Sequence, residues 1–328
     1  MNRRQKREQD LLRIILFLLA LVFVYSGVRI LGSTVFVKEE QVFVSTESKT
    51  ITRDGVDYFP RQDMTVLMVM GIDQEGVVKD SGSYNNDGAA DAVMLLVFTE
   101  DDKSVRVLSL NRDTMVEMPV LGVGGKQAGT AYSQLALSHT YGNGLEESCE
   151  NTKETISNLL YGLYIDYYVS MNMDAIATIN DAVGGVTVTV TDDFSAIDPS
   201  ITKGEMTLRG KQAVTYVRSR SGLGDQLNVS RMERQKEYID GFLTVLKEKA
   251  AVDSSFILQA YNDTAPYMVT DCSSTVWSSM LDKYQDYTLQ EVIIPEGENV
   301  KGEKYMEYYL DEEALDDVIL RLFYAPKK

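Results

Sequence analysis

The chain contains continuous apolar runs separated by short polar segments, a pattern typical of strands buried inside a layered protein. Residues 65–70 form the first run and are followed closely by Asp73. Residues 91–98 and 104–110 form two more, and Arg112 comes just after the second of these. Because a strand that is covered on both faces needs apolar side chains at nearly every position, these three segments are predicted to be central strands.

Farther along the chain, helical spacing alternates with short strand-like runs. The predicted helices are 131–141, 147–161, 173–183, 229–249, 254–261, 273–284 and 311–323, and the further strands are 165–170, 186–190 and 289–294. This alternation predicts an α/β protein, an α-β-α sandwich around a mixed central sheet.

The N-terminal segment has the pattern of a membrane anchor, so one transmembrane helix is predicted to precede the sandwich. Residues 11–31 are almost wholly apolar, and as a helix they would span roughly 31 Å, enough for a bilayer core. Basic residues within 1–10 orient that end towards the cytoplasm. We therefore expect a single-pass protein of the cell membrane with its main domain outside. The alternative is a cleaved signal peptide, but the apolar stretch is long for one and no Ala-x-Ala site follows it.

The predicted domain organisation follows from this anchor. Residues 1–10 are a cytoplasmic tail, 11–31 the transmembrane signal anchor, 32–63 an extracellular stalk with accessory strands, and 64–325 the main domain. A short hairpin is predicted within the stalk, at residues 51–59, because Asp54-Gly55 is a typical two-residue hairpin turn.

Composition and charge exclude some classes of function. The net charge is −17, and because nucleic-acid phosphates require a basic surface, no nucleic-acid partner is expected. His139 is the single histidine; it is predicted to be a packed or surface residue and not a catalytic one, so a Ser-His-Asp mechanism or an ordinary zinc site has no support. Cys149 and Cys272 either form one extracellular disulfide or are both buried as small apolar residues.

Against this acidic background, arginines are concentrated in one segment: Arg218, Arg220, Arg231 and Arg234. Guanidinium keeps its charge at any working pH and binds phosphate or carboxylate through two parallel hydrogen bonds. The cluster therefore indicates a pocket for an anion. The alternative is a set of surface arginines paired with nearby carboxylates, which are common in proteins.

Carboxylates are found at the ends of the predicted strands. Asp73 follows the first strand and Asp91 begins the second, while Arg112 and Asp113 follow the third. If these strands are neighbours, the two aspartates lie at one edge and suit Mg²⁺, which also takes waters and substrate phosphates as ligands. Turn and loop capping is the alternative for both. With the arginines, the arrangement indicates phosphoryl transfer.

A set of short motifs between residues 65 and 246 is more specific than any of these features alone. In chain order they are Val69-Met-Gly-Ile-Asp73, Asp91-Ala-Val-Met-Leu95, Asn111-Arg-Asp-Thr114, Ala131-Tyr132 with Tyr141-Gly142, Ile165-Asp-Tyr-Tyr168, Asp181-Ala-Val-Gly-Gly-Val186, Tyr216-Val-Arg-Ser-Arg220 and Arg231-Met-Glu-Arg-Gln235. With this order, the chain resembles the LytR-CpsA-Psr family of membrane-anchored cell-envelope proteins.

The resemblance implies a cell-wall glycopolymer phosphotransferase. Such an enzyme would move a polymer of the teichoic acid or capsular polysaccharide type from a polyprenyl-pyrophosphate carrier to a peptidoglycan hydroxyl, with Mg²⁺, or Mn²⁺ in its place, as cofactor. The resemblance also implies an apolar cavity for the polyprenyl tail.

The same resemblance assigns residues to roles. Asp73 and Asp91 take the metal positions, and the implied catalytic set is Asp91, Arg112, Arg218 and Arg220. The implied pyrophosphate contacts are Arg112, Arg218, Arg220, Arg231, Arg234 and Gln235. Asp113 and Arg234 would support the site.

Two positions depart from the family pattern. The family usually has an arginine two residues before the motif aspartate, where this chain has Ala89, and commonly a proline where it has Asn111. Loss of a guanidinium from a diphosphate site weakens the stabilisation of transition-state charge. A second reading therefore stays open: a non-catalytic relative that binds polyprenyl phosphates or organises wall assembly.

Overall fold

The structure is a computed structural model that describes residues 50–219, 256–273, 276, 279–280, 283–284, 287–303 and 305–326, with scattered positions between 234 and 252. The strands are β1 (Ile51–Arg53), β2 (Val56–Pro60), β3 (Met64–Ile72), β4 (Ala90–Thr99), β5 (Ser104–Leu110), β6 (Met115–Leu121), β7 (Gln127–Gln134), β8 (Tyr167–Asn172), β9 (Val186–Val190), β10 (Gly204–Leu208), β11 (Met268–Thr270), β12 (Thr288–Ile293), β13 (Gly297–Lys301), β14 (Met306–Leu310) and β15 (Tyr324–Pro326). The α-helices are α1 (Glu146–Leu159), α2 (Met173–Ala182), α3 (Lys211–Arg218), α4 (Phe256–Thr264) and α5 (Glu312–Phe323), and 3₁₀ helices occupy Val123–Gly125, Leu135–Thr140 and Ala265–Tyr267.

Six strands form the central sheet, in the order β11-β8-β3-β4-β5-β12. β3 pairs antiparallel with β4 and parallel with β8, and β5 pairs antiparallel with β4 and parallel with β12. The sheet is therefore mixed, and the predicted α/β class is confirmed. The three apolar runs found first in the sequence form its centre, as β3, β4 and β5.

Both faces of this sheet are covered, which explains why its strands are apolar throughout. Successive side chains of a strand point to opposite faces. Met68 packs in one apolar cluster that includes Ile156 of α1, whereas its neighbour Leu67 packs in another that includes Tyr284. The described positions of the predicted helix 273–284 are helical, so helices cover both faces of the sheet.

A third apolar cluster lies among α2, α3 and the β9-β10 hairpin. Its buried members include Val188, Phe194, Tyr216 and Phe242, and the Phe194 and Tyr216 rings stack with centroids 5.7 Å apart. The described positions of the predicted helix 229–249, Phe242 among them, are helical. This cluster supports the helix that ends at Arg218.

One predicted helix is wrong. Residues 131–141 do not form an α-helix: β7 ends at Gln134 and a 3₁₀ helix, Leu135–Thr140, follows it. The cause is non-local pairing, because β7 pairs along its length with β6 and this ladder overrides the local helical spacing. The β6-β7 and β13-β14 hairpins and the second strand of the β9-β10 hairpin were not predicted.

The accessory hairpin predicted around Asp54-Gly55 is present. β1 and β2 pair antiparallel, and Asp54 and Gly55 have φ angles of 53° and 77°, as a type I′ turn requires. β2 also pairs with β15 near the C-terminus, so this hairpin is attached to the main domain.

The structure decides between the two alternatives given for the cysteines. Cys149 and Cys272 are both buried and unpaired, and burial raises the pKa of each thiol; they are small apolar core residues.

The predicted anchor at 11–31 lies outside the described residues. Within the part of the chain that is described, no helix is long and apolar enough to cross a membrane.

Candidate active site

The candidate site lies at one edge of the central sheet, where β3 ends and β4 begins. Ile72, the last residue of β3, pairs with Ala90, the first residue of β4. Asp73 and Asp91 therefore lie on neighbouring antiparallel strands at the same edge. The prediction that the strand order brings these two carboxylates to one edge is confirmed.

The segment after the third strand brings an arginine to Asp91. Leu110, at the end of β5, pairs with Val93 of β4, so the residues after β5 lie beside the start of β4. The Arg112 guanidinium forms an ion pair with Asp91, and its Nε lies 3.5 Å from Asp113 Oδ1. Both members of the Asp91–Arg112 pair are partly exposed.

The second carboxylate is paired from the other side of the edge. Arg218, in the last turn of α3, forms an ion pair with Asp73. Lys211, in the first turn of the same helix, pairs with Glu75 at 2.9 Å, so both ends of α3 are attached to the segment after β3. The Arg218 side chain is 47% exposed, and solvent can reach this pair.

Arg234 is different, because its side chain is only 4% exposed. The guanidinium forms an ion pair with Asp192, and it donates to the carbonyl oxygens of Tyr216, at 3.1 Å from Nε, and of Ser219. It therefore holds the chain at the C-terminal end of α3, next to Arg218. This geometry fits the supporting role that the resemblance implies, while its pyrophosphate contact stays a prediction.

Three of the predicted site residues, Arg220, Arg231 and Gln235, lie outside the described residues. Their roles stay predictions. For the arginine cluster, the sequence left two alternatives: an anion pocket or surface ion pairs. The structure shows an ion pair for Arg218, with Asp73. This pair lies at the edge where the phosphate site is predicted, so the anion pocket stays a prediction.

A buried polar group holds the loop that leads into Asp91, and sequence reasoning did not identify it. Asn86 Nδ2 donates to the His139 carbonyl oxygen at 2.9 Å and to Ser148 Oγ at 3.0 Å, while its Oδ1 accepts from the Gly88 N–H at 2.7 Å. His139 Nδ1 lies 2.8 Å from the Gly88 carbonyl oxygen. We call this group, made of Asn86, Gly88 and His139, the loop clamp.

The loop clamp acts on the site through the next residue. The Ala89 carbonyl oxygen, directly after Gly88, accepts from the Asp73 N–H at 2.9 Å. The segment that precedes Asp91 thus also fixes the backbone of Asp73. An asparagine in a polar, glycine-rich loop gives no sequence signal for such a role, because the groups that accept from its Nδ2, on His139 and Ser148, are more than fifty positions away.

The geometry also determines which ring nitrogen of His139 carries the hydrogen. A carbonyl oxygen can only accept, so Nδ1 carries the hydrogen, and Nε2 faces the Cys149 sulfur at 3.9 Å. Burial lowers the pKa of the imidazole to about 4, because desolvation penalises the charged form. Of the two non-catalytic alternatives for His139, packed or surface, the structure shows the packed one.

The donor chemistry at the edge fits a hard cation. Asp73 and Asp91 offer carboxylate oxygens, which Mg²⁺ prefers and combines with waters and substrate phosphates, and both side chains are partly exposed. Among the described residues no three carboxylate, histidine or cysteine side chains are clustered in a way that could hold a metal. A cation at this edge would therefore depend on two aspartates and on ligands brought by the substrate.

Comparison with known proteins identifies the family. The model of the LytR_cpsA_psr family matches residues 33–322. The chain belongs to this family. The resemblance that the ordered motifs indicated is thus confirmed.

The Bacillus subtilis member named polyisoprenyl-teichoic acid–peptidoglycan teichoic acid transferase TagU is 26% identical to this LytR-CpsA-Psr protein over 334 residues, which cover 98% of this chain and 97% of TagU. Two solved structures share the fold. Bacillus subtilis TagV matches with a TM-score of 0.56 at 22% identity, over 80% of this chain and 96% of TagV. The structure of TagT bound to LI-WTA matches with a TM-score of 0.55 at 21% identity, over 80% of this chain and 90% of TagT.

The state of His139 predicts a pH dependence of stability. Its pKa is 6.5 in a solvent-exposed side chain and about 4 in the folded protein, so the unfolded chain takes up a proton at a higher pH than the folded chain does. This contribution to stability is complete above about pH 6.5 and is lost as the pH falls to about 4. The expected loss is about 3 kcal/mol, measured by urea unfolding across this range.

His139→Gln is the matched comparison, because His139 is the single histidine. The difference in unfolding free energy between the wild type and the variant should shrink steadily from pH 6.5 to pH 4, while the carboxylates contribute equally to both proteins. A difference that does not change with pH would contradict a neutral buried imidazole.

The two arginines near the end of α3 predict different costs of substitution. Arg234→Met leaves Asp192 and two carbonyl oxygens without their buried donor, and we expect it to lower the free energy of unfolding by about 3 kcal/mol. Arg218→Met breaks an exposed pair and should cost less than about 1 kcal/mol. Urea unfolding of the two variants in parallel measures both. Equal losses of stability in the two variants would show that Arg234 is not the structural arginine of the pair.

Proposed function

We propose that this protein is a Mg²⁺-dependent phosphotransferase that moves a polyprenyl-pyrophosphate-linked glycopolymer of the teichoic acid or capsular polysaccharide type onto peptidoglycan. The observation that carries the proposal is the pairing of Asp73 with Arg218 and of Asp91 with Arg112 at one sheet edge. Membership of the family and the transferase names of its relatives support it.

In this proposal the two ion pairs are exchanged when the substrate binds. Arg112 and Arg218 turn from the carboxylates to the oxygens of the pyrophosphate, because guanidinium binds phosphate in the same bidentate geometry. Asp73 and Asp91 would then hold Mg²⁺, which, when bound, supplies positive charge to the phosphate oxygens. Arg220, Arg231 and Gln235 complete the predicted pyrophosphate contacts, and Arg234 supports them from its buried position.

The proposed reaction is a single displacement at phosphorus. The oxygen of a peptidoglycan sugar hydroxyl forms a bond to the phosphorus that carries the polymer, and the bond from that phosphorus to the bridging oxygen breaks. Polyprenyl phosphate leaves with the electron pair, and the hydroxyl proton passes to a carboxylate at the edge. The arginines stabilise charge that develops on the phosphate oxygens.

We further propose that residues 11–31 anchor the protein in the cell membrane, with the main domain outside. An anchor of this kind keeps the site near a lipid-borne substrate. The apolar pattern of the segment and the basic residues before it support this location.

A second candidate function is favoured by Ala89. Because the family arginine is absent at this position, a protein that binds the polyprenyl-phosphate carrier without turnover, or that organises wall assembly, would retain the same fold and the same edge.

The activity test uses the full chain in detergent micelles with a lipid-linked wall teichoic acid precursor, peptidoglycan and Mg²⁺. We expect release of polyprenyl phosphate, loss of activity with EDTA and recovery with Mg²⁺. Asp91→Asn and Arg112→Met should each lower kcat by about 100-fold or more, because each removes stabilisation of transition-state charge.

Arg106→Met is the matched control for this test. Arg106 lies in β5, the strand that Arg112 follows, but it pairs with Asp102 at the opposite end of that strand, and its replacement should leave kcat unchanged. Tight binding of the precursor by the wild type without turnover would overturn the transferase and support the binding protein. An equal loss in Arg106→Met would show that the assay reports folding only.

A further inference from the structure

A separate surface adjoins the Arg112 corner of the site. It is formed by the β6-β7 and β13-β14 hairpins, which an isolated parallel bridge between Thr114 and Tyr308 joins side by side. The Tyr308 N–H donates to the Asp113 carbonyl oxygen at 2.8 Å. Gln134 Nε2 donates to Asp113 Oδ1 at 2.9 Å and to the Met306 carbonyl oxygen at 2.7 Å. The surface is thus directly connected to the residue that follows Arg112.

The outer side of this surface presents tyrosines, each with a glutamate opposite. Tyr132 of β7 is 61% exposed and Tyr309 of β14 is 39% exposed. In the strand register Tyr132 pairs with Glu117 and Tyr309 pairs with Glu298, and residues directly opposite share a face of the sheet. We call these four residues, with Glu307, the tyrosine–glutamate face.

The two tyrosines are close enough to act together. The Thr114–Tyr308 bridge places β14 beside the start of β6, and β7 pairs on the other side of β6. At that end about two strand spacings, roughly 10 Å, separate β7 from β14. The Tyr309 hydroxyl donates to Glu307 Oε2 at 2.7 Å. This hydrogen bond raises the pKa of the Tyr309 phenol, and the neighbouring Tyr132 adds to the rise.

The chemistry of the face suits a saccharide. Aromatic rings pack against the C–H face of a sugar, and carboxylates accept hydrogen bonds from its hydroxyl and amide groups. Among the described residues, no ion pair engages the three glutamates of the face. A phosphate-rich polymer would be repelled by them, whereas an uncharged glycan would not.

We propose that the tyrosine–glutamate face binds the acceptor glycan, an uncharged N-acetylated saccharide chain, beside the phosphate site. The inference rests on the proposed function for the role of that glycan as acceptor. Because the tyrosine–glutamate face is connected to Asp113, a glycan bound there would lie next to Arg112, which is proposed to contact the pyrophosphate. The negative charge of the face would keep the anionic donor polymer away from it.

The test is a binding titration of the full chain in detergent with chitohexaose, an uncharged β-1,4-linked N-acetylglucosamine oligomer, followed by NMR. Wild-type protein should bind chitohexaose. Tyr132→Ala and Tyr309→Ala should each raise the Kd about tenfold, and Tyr132→Phe and Tyr309→Phe, which keep the ring, should bind within about threefold of the wild type.

Tyr164→Ala is the matched control, because Tyr164 is 63% exposed but lies before the start of β8. Since β8 runs parallel to β3, this is the end of the strands opposite to Asp73. It should bind chitohexaose as the wild type does. No binding by the wild type, or equal Kd values in the wild type and the Tyr132→Ala and Tyr309→Ala variants, would overturn the proposal. So would binding of poly(glycerol phosphate) that these alanine variants lose.

This test separates the two proposals because it needs no turnover. Tyrosine-dependent glycan binding in a protein that releases no polyprenyl phosphate would support the glycan surface and defeat the transferase. If the wild type transfers the polymer but the alanine variants bind chitohexaose as the wild type does, the transferase is supported and the glycan surface is overturned.

Discussion

The pairing of a carboxylate with a guanidinium, made twice at one edge of the sheet, is the interaction on which the rest of the site depends. Asp73 with Arg218 and Asp91 with Arg112 place equal and opposite charges side by side. The Asp73–Arg218 pair is exposed and the Asp91–Arg112 pair is partly exposed, and ion pairs that solvent reaches contribute about 1 kcal/mol or less to stability. In the proposed mechanism they would be exchanged for a cation and phosphate oxygens at little cost, and the pairing compensates the charge of each aspartate.

A stable frame surrounds these exchangeable pairs. Buried Arg234 binds the C-terminal end of α3 through Asp192 and two carbonyl oxygens, which fixes the position from which Arg218 extends. On the other side, Asn86 and His139 bind the loop before Asp91. Because buried polar groups are costly to leave unpaired, both supports resist change, and the proposed rearrangement is confined to the ion pairs between them.

The sequence predicted the centre of the fold well, for a physical reason. β3, β4 and β5 are buried on both faces, so their apolar runs are continuous and leave little choice of structure. Asp73, Asp91 and Arg112 come directly after or at the start of these strands, and their meeting at one edge followed from the strand order. The Asp54-Gly55 hairpin was equally predictable, because its turn requires positive φ angles.

The parts that could not be predicted depend on contacts distant in sequence. β7 has helical spacing in its last residues, yet it forms a strand because β6 pairs with it. The buried role of Arg234 has no local signal, since an exposed and a buried arginine look alike in a sequence. The loop clamp depends on Asn86 and His139, which are more than fifty positions apart, and the tyrosine–glutamate face depends on two hairpins that the apolar pattern does not reveal.

The most direct test of the central claim is a crystal structure of the protein with Mn²⁺ and geranylgeranyl pyrophosphate, with the cation located by its anomalous scattering. We expect one Mn²⁺ bound by Asp73 and Asp91, with Arg112 and Arg218 turned from these carboxylates to the pyrophosphate. A pyrophosphate bound elsewhere, or both ion pairs intact in the presence of cation and lipid, would contradict an exchangeable phosphate site at this edge.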